Sequence, residues 1–201
     1  MTAPDLHSRM RTAIQSELAD AAQELFLEQG YDAVTVGQIA TKVGMSRRSF
    51  FRYFGSKDDL IIGKYGLWVD DMVDSLRSRP VGEAPWASLR ATFDTILDYY
   101  ADSDRRDRVA ALQNIIDASP GLHAQSLAVL ENLQGRLREL LLERAAETTA
   151  ANLDESRARA IVGAAWACLQ AALPQAYSPD PDAFRQRLDQ LMDEFGPRLD
   201  R

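Results

Sequence analysis

Three residues between two helical patterns, Gly44, Met45 and Ser46, leave this chain very little freedom. Upstream of them, Val36, Ile39, Ala40 and Val43 recur at 0, 3, 4 and 7, one face of a 3.6-residue period, with Thr35 placed to cap the first turn. Gly44 tolerates the left-handed conformation that stops a helix, and Ser46 is a good N-cap for the next. With only Met45 between stop and start, the chain must turn sharply from one short helix into another. The stripe Ile14, Leu18, Ala21 and Leu25, closed by Gly30, predicts a longer helix in front of them. A three-helix head with a helix-turn-helix follows.

The charge on this segment is unusual for its chain. From Ala33 through Lys57 there is no Asp or Glu, while Lys42, Arg47, Arg48, Arg52 and Lys57 contribute +5 to a chain whose net charge is −7. A solvated basic face would account for charge alone. On a helix over "RRSFFRYF", Phe50 and Phe54 are i and i+4 on a face suited to docking on the first two helices, and Arg48 and Arg52 are i and i+4 pointing away from it. Phe51 and Tyr53 flank both faces, which neither a core nor a solvated surface explains. A DNA major groove does: arginine chelates guanine O6 and N7, a ring covers a thymine methyl, and Ser or Tyr hydroxyls bond phosphates. Next, Ser56 opens "SKDDL", a capping-box-like start with Asp58 and Asp59 at the positive end of a helix dipole. Lys57 in that first turn is either a solvated lysine of small cost or the partner of a bound phosphate.

Residues 21 to 60, "AAQELFLEQGYDAVTVGQIATKVGMSRRSFFRYFGSKDDL", resemble the N-terminal domain of TetR-family transcriptional regulators, through "GY", the Thr35 cap, "IA", "VGMS" and "YFxSK". The resemblance implies a DNA-binding head at residues 1–55, a larger helical ligand-binding and dimerisation body at 56–201, and generally repression. It also implies that Thr35, Ser46, Tyr53 and Lys57 hold phosphates, and that Arg47, Arg48, Ser49, Phe51 and Arg52 face the groove. Two positions depart from the family pattern. Gly55 stands where proline is common, which predicts a looser loop before the fourth helix. Arg48 stands where a small residue is frequent, which makes it the expected source of this chain's own base preference.

The rest reads as an all-α body, about nine helices in total with the head. Ile61, Tyr65, Trp68, Met72 and Leu76 continue a fourth helix up to "SRPVGEAP". Trp86, Leu89, Phe93, Leu97 and Tyr100 mark one helix; Val109, Leu112 and Ile116 another. Ser119 and Pro120 suit N-cap and N1 of a helix striped by Leu130, Leu133, Leu137, Leu140 and Leu141. "AIVGAAWACL", residues 160 to 169, has no charged side chain on any face and needs cover on more than one side. A final helix opens at Asp180 and Pro181 with the stripe Phe184, Leu188, Leu191 and Phe195. The helices Ala158–Leu173 and Pro181–Phe195 are therefore the expected homodimer interface, and a two-fold dimer predicts an inverted-repeat operator on double-stranded DNA.

For the pocket the resemblance points to large apolar residues on lining helices: Trp68, Met72, Trp86, Phe93, Tyr100, Ile116, Leu127 and Trp166. Each also fits ordinary core. The segment after "VGEAPW" is more loosely similar to a subset linked to acyl-CoA and mycofactocin regulation, in which Arg105, Arg106 and Arg108 would face an anionic head group; a solvated first turn is the competing reading. The expected effector is small and hydrophobic or amphipathic. It would act by preferring a body state that misplaces the heads, transmitted through the fourth helix.

Other classes find little support. At 201 residues and 46% hydrophobic the chain is long enough for a sizeable core and too apolar to be disordered. No apolar run is long enough to cross a bilayer, and "MTAPDLHSRM" lacks an export signal, so a cytoplasmic location is expected. Cys168 is the single cysteine, which forbids an internal disulfide. With only His7, His123 and Cys168 as nucleophile or metal candidates, and neither HExxH nor a phosphate-cradling glycine loop, no enzyme, metal site or cofactor is expected. The alternatives are a helical protein-interaction module and a DNA-binding regulator without a small-molecule inducer.

Overall fold

The structure is a computed structural model that describes residues 6–100, 103–147, 153–173 and 180–196; within these, side chains are described except at 6–9, 12, 64–68, 98–100 and 103–108. Ten helices and no strand occur among the described residues: α1 (Leu6–Gln29), α2 (Val36–Lys42), α3 (Arg47–Phe50), α4 (Asp58–Ser78), α5 (Pro85–Thr92), α6 (Asp94–Tyr100), α7 (Ser103–Ala118), α8 (Pro120–Ala146), α9 (Glu155–Ala172) and α10 (Pro181–Phe195). The all-α expectation holds. Contacts divide the chain into two units, one of Met1–Gly66 with Asn114–Ser126 and one of Leu67–Gln113 with Leu127–Arg201.

In the first unit, α1 buries Leu18, Ala21, Ala22, Leu25 and Phe26 along one stripe. It stops at Gly30, whose φ is 81° and whose N–H donates to the Phe26 carbonyl. Thr35 and Gln38 form a reciprocal capping box on α2. The exit of α2 satisfies two carbonyls at once: Met45 N–H donates to Ala40 O at 2.9 Å and Gly44 N–H to Thr41 O at 3.0 Å, with Gly44 at φ 71°. This double closure is a Schellman turn, and it needs the left-handed residue. Ser46 then accepts the Ser49 N–H at 3.1 Å and starts α3. One expectation is corrected here. The helical stretch over "RRSFFRYF" is α-helical only through Phe50; Arg52 N–H to Ser49 O and Tyr53 N–H to Phe50 O are three-residue closures that tighten its end.

The second unit is built around Val69, Met72, Val73 and Leu76 of α4, Leu89 of α5, Ile96 and Leu97 of α6, Leu133, Leu137 and Leu141 of α8, and the inner faces of α9 and α10. The single helix expected from Trp86 to Tyr100 is two, α5 and α6, broken at Phe93. Two hydroxyls compete for backbone carbonyls at the break: Thr92 Oγ1 donates to Ser88 O and Thr95 Oγ1 to Thr92 O. Such back-bonding bends helices. On α10 the buried stripe is Phe184, Leu188 and Met192, spaced by four; Leu191 is half-buried and Phe195 is 60% exposed, against the expected stripe. The caps read from the sequence at Ser119–Pro120 and Asp180–Pro181 start α8 and α10 as expected. No helix among the described residues is long and apolar enough to cross a membrane.

Candidate nucleic-acid interface

Phe50 anchors the site. Its ring is fully buried, packs edge-on against Phe51 at 5.5 Å and lies 5.9 Å from Phe54. With Phe50 held inward, Arg47, Arg48 and Arg52 are exposed, as is Phe51 at 47%, while Ser49 and Tyr53 are half-buried. The Arg47 guanidinium sits 5.8 Å from the Phe51 ring centre, a cation–π contact on the outer surface. Capping occupies the hydroxyls above and below: Thr35 Oγ1 lies 2.8 Å from Gln38 Oε1, and Ser46 Oγ lies 3.0 Å from Ser49 Oγ.

The five cations counted in the sequence are not equivalent. Lys42 forms a 2.9 Å ion pair with Glu24 of α1, and the hydrogen bond to that carboxylate raises its pKa. Lys57 is half-buried; its ammonium donates to Tyr31 O at 2.8 Å and Val34 O at 3.4 Å and lies 4.0 Å from the Tyr31 ring centre. The Tyr31 hydroxyl donates to Asp58, and its ring meets Phe26 edge-on. Lys57 and Asp58 at the start of α4 thus grip Tyr31 from two sides. Burial, then the Asp58 contact, pushes the Tyr31 pKa well above the ordinary tyrosine range.

The expectation of a loose loop at Gly55 meets a different geometry. Gly55 N–H donates to Asp59 Oδ2 at 2.8 Å, the Ser56 hydroxyl donates to Asp59 Oδ1 at 2.8 Å, and Ser56 Oγ in turn accepts the Asp59 N–H at 3.2 Å. Proline has no N–H to offer here. Glycine therefore brings the carboxylate in close: a Cβ at this position would lie 3.1 Å from Asp59 Oδ2.

Two α1 residues that the sequence reading passed over reach this surface. Gln15 Nε2 donates to the Tyr53 carbonyl at 3.4 Å, and the Arg11 guanidinium lies 5.9 Å from the Tyr53 ring centre. They stand about 40 positions away in the chain, and no local pattern signals such a pairing.

The pocket residues divide. Met72, Phe93 and Trp166 lie in the buried core of the second unit, Phe93 and Trp166 edge-to-face at 6.4 Å, and Trp86 packs on it with its indole N–H donating to Met192 O at 3.1 Å. Ile116 is buried in the other unit, and Leu127 is 52% exposed. The side chains of Trp68 and Tyr100, and of Arg105, Arg106 and Arg108, lie outside the described residues. A separate cleft of about 200 Å³ between α8 and α9 is lined by Glu131, Gln134, Gly135, Arg138, Arg159 and Val162. Cys168 is buried, which raises its thiol pKa and suits packing rather than nucleophilic work. Among the described residues no cluster of His, Cys, Asp and Glu could hold a metal ion.

A capped helix, a left-handed glycine turn and a second helix showing arginines outward define the helix-turn-helix class of transcription regulators. Residues 18–62 match the family model for bacterial regulatory proteins of the tetR family. The chain is 32% identical over 145 residues to the HTH-type transcriptional regulator TcmR of Streptomyces glaucescens, a match spanning 70% of this chain and 64% of that protein. It is 26% identical over 161 residues to MftR of Mycobacterium tuberculosis, named as a mycofactocin biosynthesis transcriptional regulator, over 78% of each. The fold superposes on Thermus thermophilus FadR, a TetR-family repressor solved with lauroyl-CoA, with TM-score 0.59 and 17% identity over 90% of this chain and 92% of that one. Residues 18–62 are therefore a TetR-family regulatory domain, and the fold is shared with solved TetR-family regulators.

Proposed function

We propose that this chain is a ligand-responsive transcriptional repressor that binds an inverted-repeat operator as a homodimer and is released by a small effector. The observation that carries the reading is the sidedness of α3 and the turn that closes it: Phe50 is fully buried while Arg47, Arg48, Phe51 and Arg52 stand exposed on an acid-free segment. Arg48 and Arg52 would read guanine edges, Phe51 a thymine methyl, and Thr35, Ser46, Ser49, Tyr53 and Lys57 would place the head on phosphates and the groove. For Lys57 this means lending a remaining N–H to phosphate while it holds the loop carbonyls.

Dimerisation would use α9 and α10. On α9, Ala160, Gly163, Ala164 and Ala167 are exposed in the single chain, and Phe195 is exposed at the end of α10. Small residues let backbones approach closely, and two copies of this face would set two recognition helices on one side of the duplex. The lauroyl-CoA held by the Thermus thermophilus neighbour makes acyl thioesters the first effector class to try. A second reading, DNA binding without an inducer, draws support from the burial of Met72, Phe93 and Trp166 in packed core.

Selecting duplexes from a random pool with the purified full chain tests the proposal. Enrichment of a palindrome, and its release by an acyl-CoA series, is the expected result. A chain that prefers no duplex over heparin would refute DNA recognition; a palindrome that no acyl-CoA releases would favour the second reading.

A further inference from the structure

Arg11 and Gln15 are i and i+4 on α1 and therefore share a face. Both reach Tyr53, in the turn that closes α3: Gln15 by a hydrogen bond to its carbonyl at 3.4 Å, Arg11 by placing its guanidinium 5.9 Å from the ring centre. Gln15 thus fixes the distance between the two segments, and Tyr53 gives Arg11 a platform. Arg11 is itself exposed. A cation–π contact at a surface is weak, and it engages the charge of a guanidinium without using its N–H donors on an oxygen. The ring under Arg11 directly follows Arg52 in the chain, so an exposed cation on α1 is held against the turn that closes the segment carrying Arg47, Arg48 and Arg52. A planar fork of donors on an aromatic platform, beside an acid-free recognition segment, suits a phosphate oxygen.

We infer that Arg11 is a phosphate-binding residue flanking the recognition element, positioned by Tyr53 and Gln15. The inference rests on the DNA reading above and adds a contact outside the helix-turn-helix itself. Because a phosphate contact carries no base information, Arg11 would strengthen binding to every duplex alike.

The test compares the full chain with Arg11→Ala and Arg11→Lys on a selected operator and a scrambled duplex across a salt series. For Arg11→Ala the slope of log K against log salt should become shallower by about 0.9 for each chain bound, with affinity falling on the order of tenfold per chain at low salt. Both duplexes should lose equally, Arg11→Lys should keep the slope, and the thermal melt should not move. An unchanged slope for Arg11→Ala, whether or not its melting temperature drops, would reduce Arg11 to a packing group on Tyr53 and overturn the inference. Failure of the DNA reading looks different: the unmutated chain would then show no preference between the two duplexes.

Discussion

Arg48 and Lys57 carry the same charge nine positions apart, and the fold treats them differently. Arg48 is exposed with its side chain outward, whereas Lys57 is half-buried and already bonded to two carbonyls and a ring. Arg48→Ala should therefore cost about 1–3 kcal/mol on the selected operator and relax preference at one base pair, read by competition with single-base variants. Equal losses on cognate and scrambled DNA would deny Arg48 a base contact. Lys57→Met keeps the stem but drops the ammonium, and should weaken all duplexes alike while lowering the melting temperature, since the Tyr31 and Val34 carbonyls lose their donor. Tyr31 supplies a pH signature. Above pH about 10 an unfolded tyrosine ionises while the folded Tyr31 keeps its proton, so the folded state binds more protons and stability falls as pH rises. Below that pH the contribution is constant. An absorbance titration of tyrosinate should show a late component that Tyr31→Phe removes.

At the scale of elements, the turn between α2 and α3 sets the geometry of the head. Gly44 sits at φ 71°, and a Cβ there would meet nothing within 4 Å. Gly44→Ala thus isolates backbone strain from any clash and should destabilise the fold by roughly 1–2 kcal/mol in denaturant unfolding. A neutral result would mean the turn relaxes to another closure. The connection after α4 is secured differently: Arg144 of α8 donates to the Arg79 and Pro80 carbonyls, while Glu83 accepts from Arg79 and Ser88. Hydrogen bonding to Arg79 holds the Glu83 carboxyl below its ordinary range. Its contribution is present above the unfolded carboxylate pKa and is lost as pH falls through the lower folded value.

For the whole molecule, the proposed dimer makes the sharpest demand. Ala164 is exposed on α9 in the single chain, between Gly163 and the buried Ala165. Ala164→Arg should leave helix content unchanged by circular dichroism, give a monomer in light scattering and abolish tight binding to an inverted repeat. A dimer that survives it would move the interface elsewhere.

Local rules carried the sequence reading a long way. Thr35, Gly44, Ser46, Ser119 and Asp180 marked helix ends because capping is decided within four residues of chain, and the buried face of α3 followed from the spacing of Phe50. What lay beyond local rules was decided by tertiary contacts. The break at Phe93 came from hydroxyls turned back onto buried carbonyls, Met192 displaced Phe195 from the core stripe of α10, and Lys42 and Lys57 found partners on α1 and in the loop after it. Periodicity identifies which side chains share a helix face, because the pitch is a property of the backbone alone. Which of those faces finds a carboxylate, a carbonyl or a ring opposite it depends on residues tens of positions away, and packing is what brings them within reach.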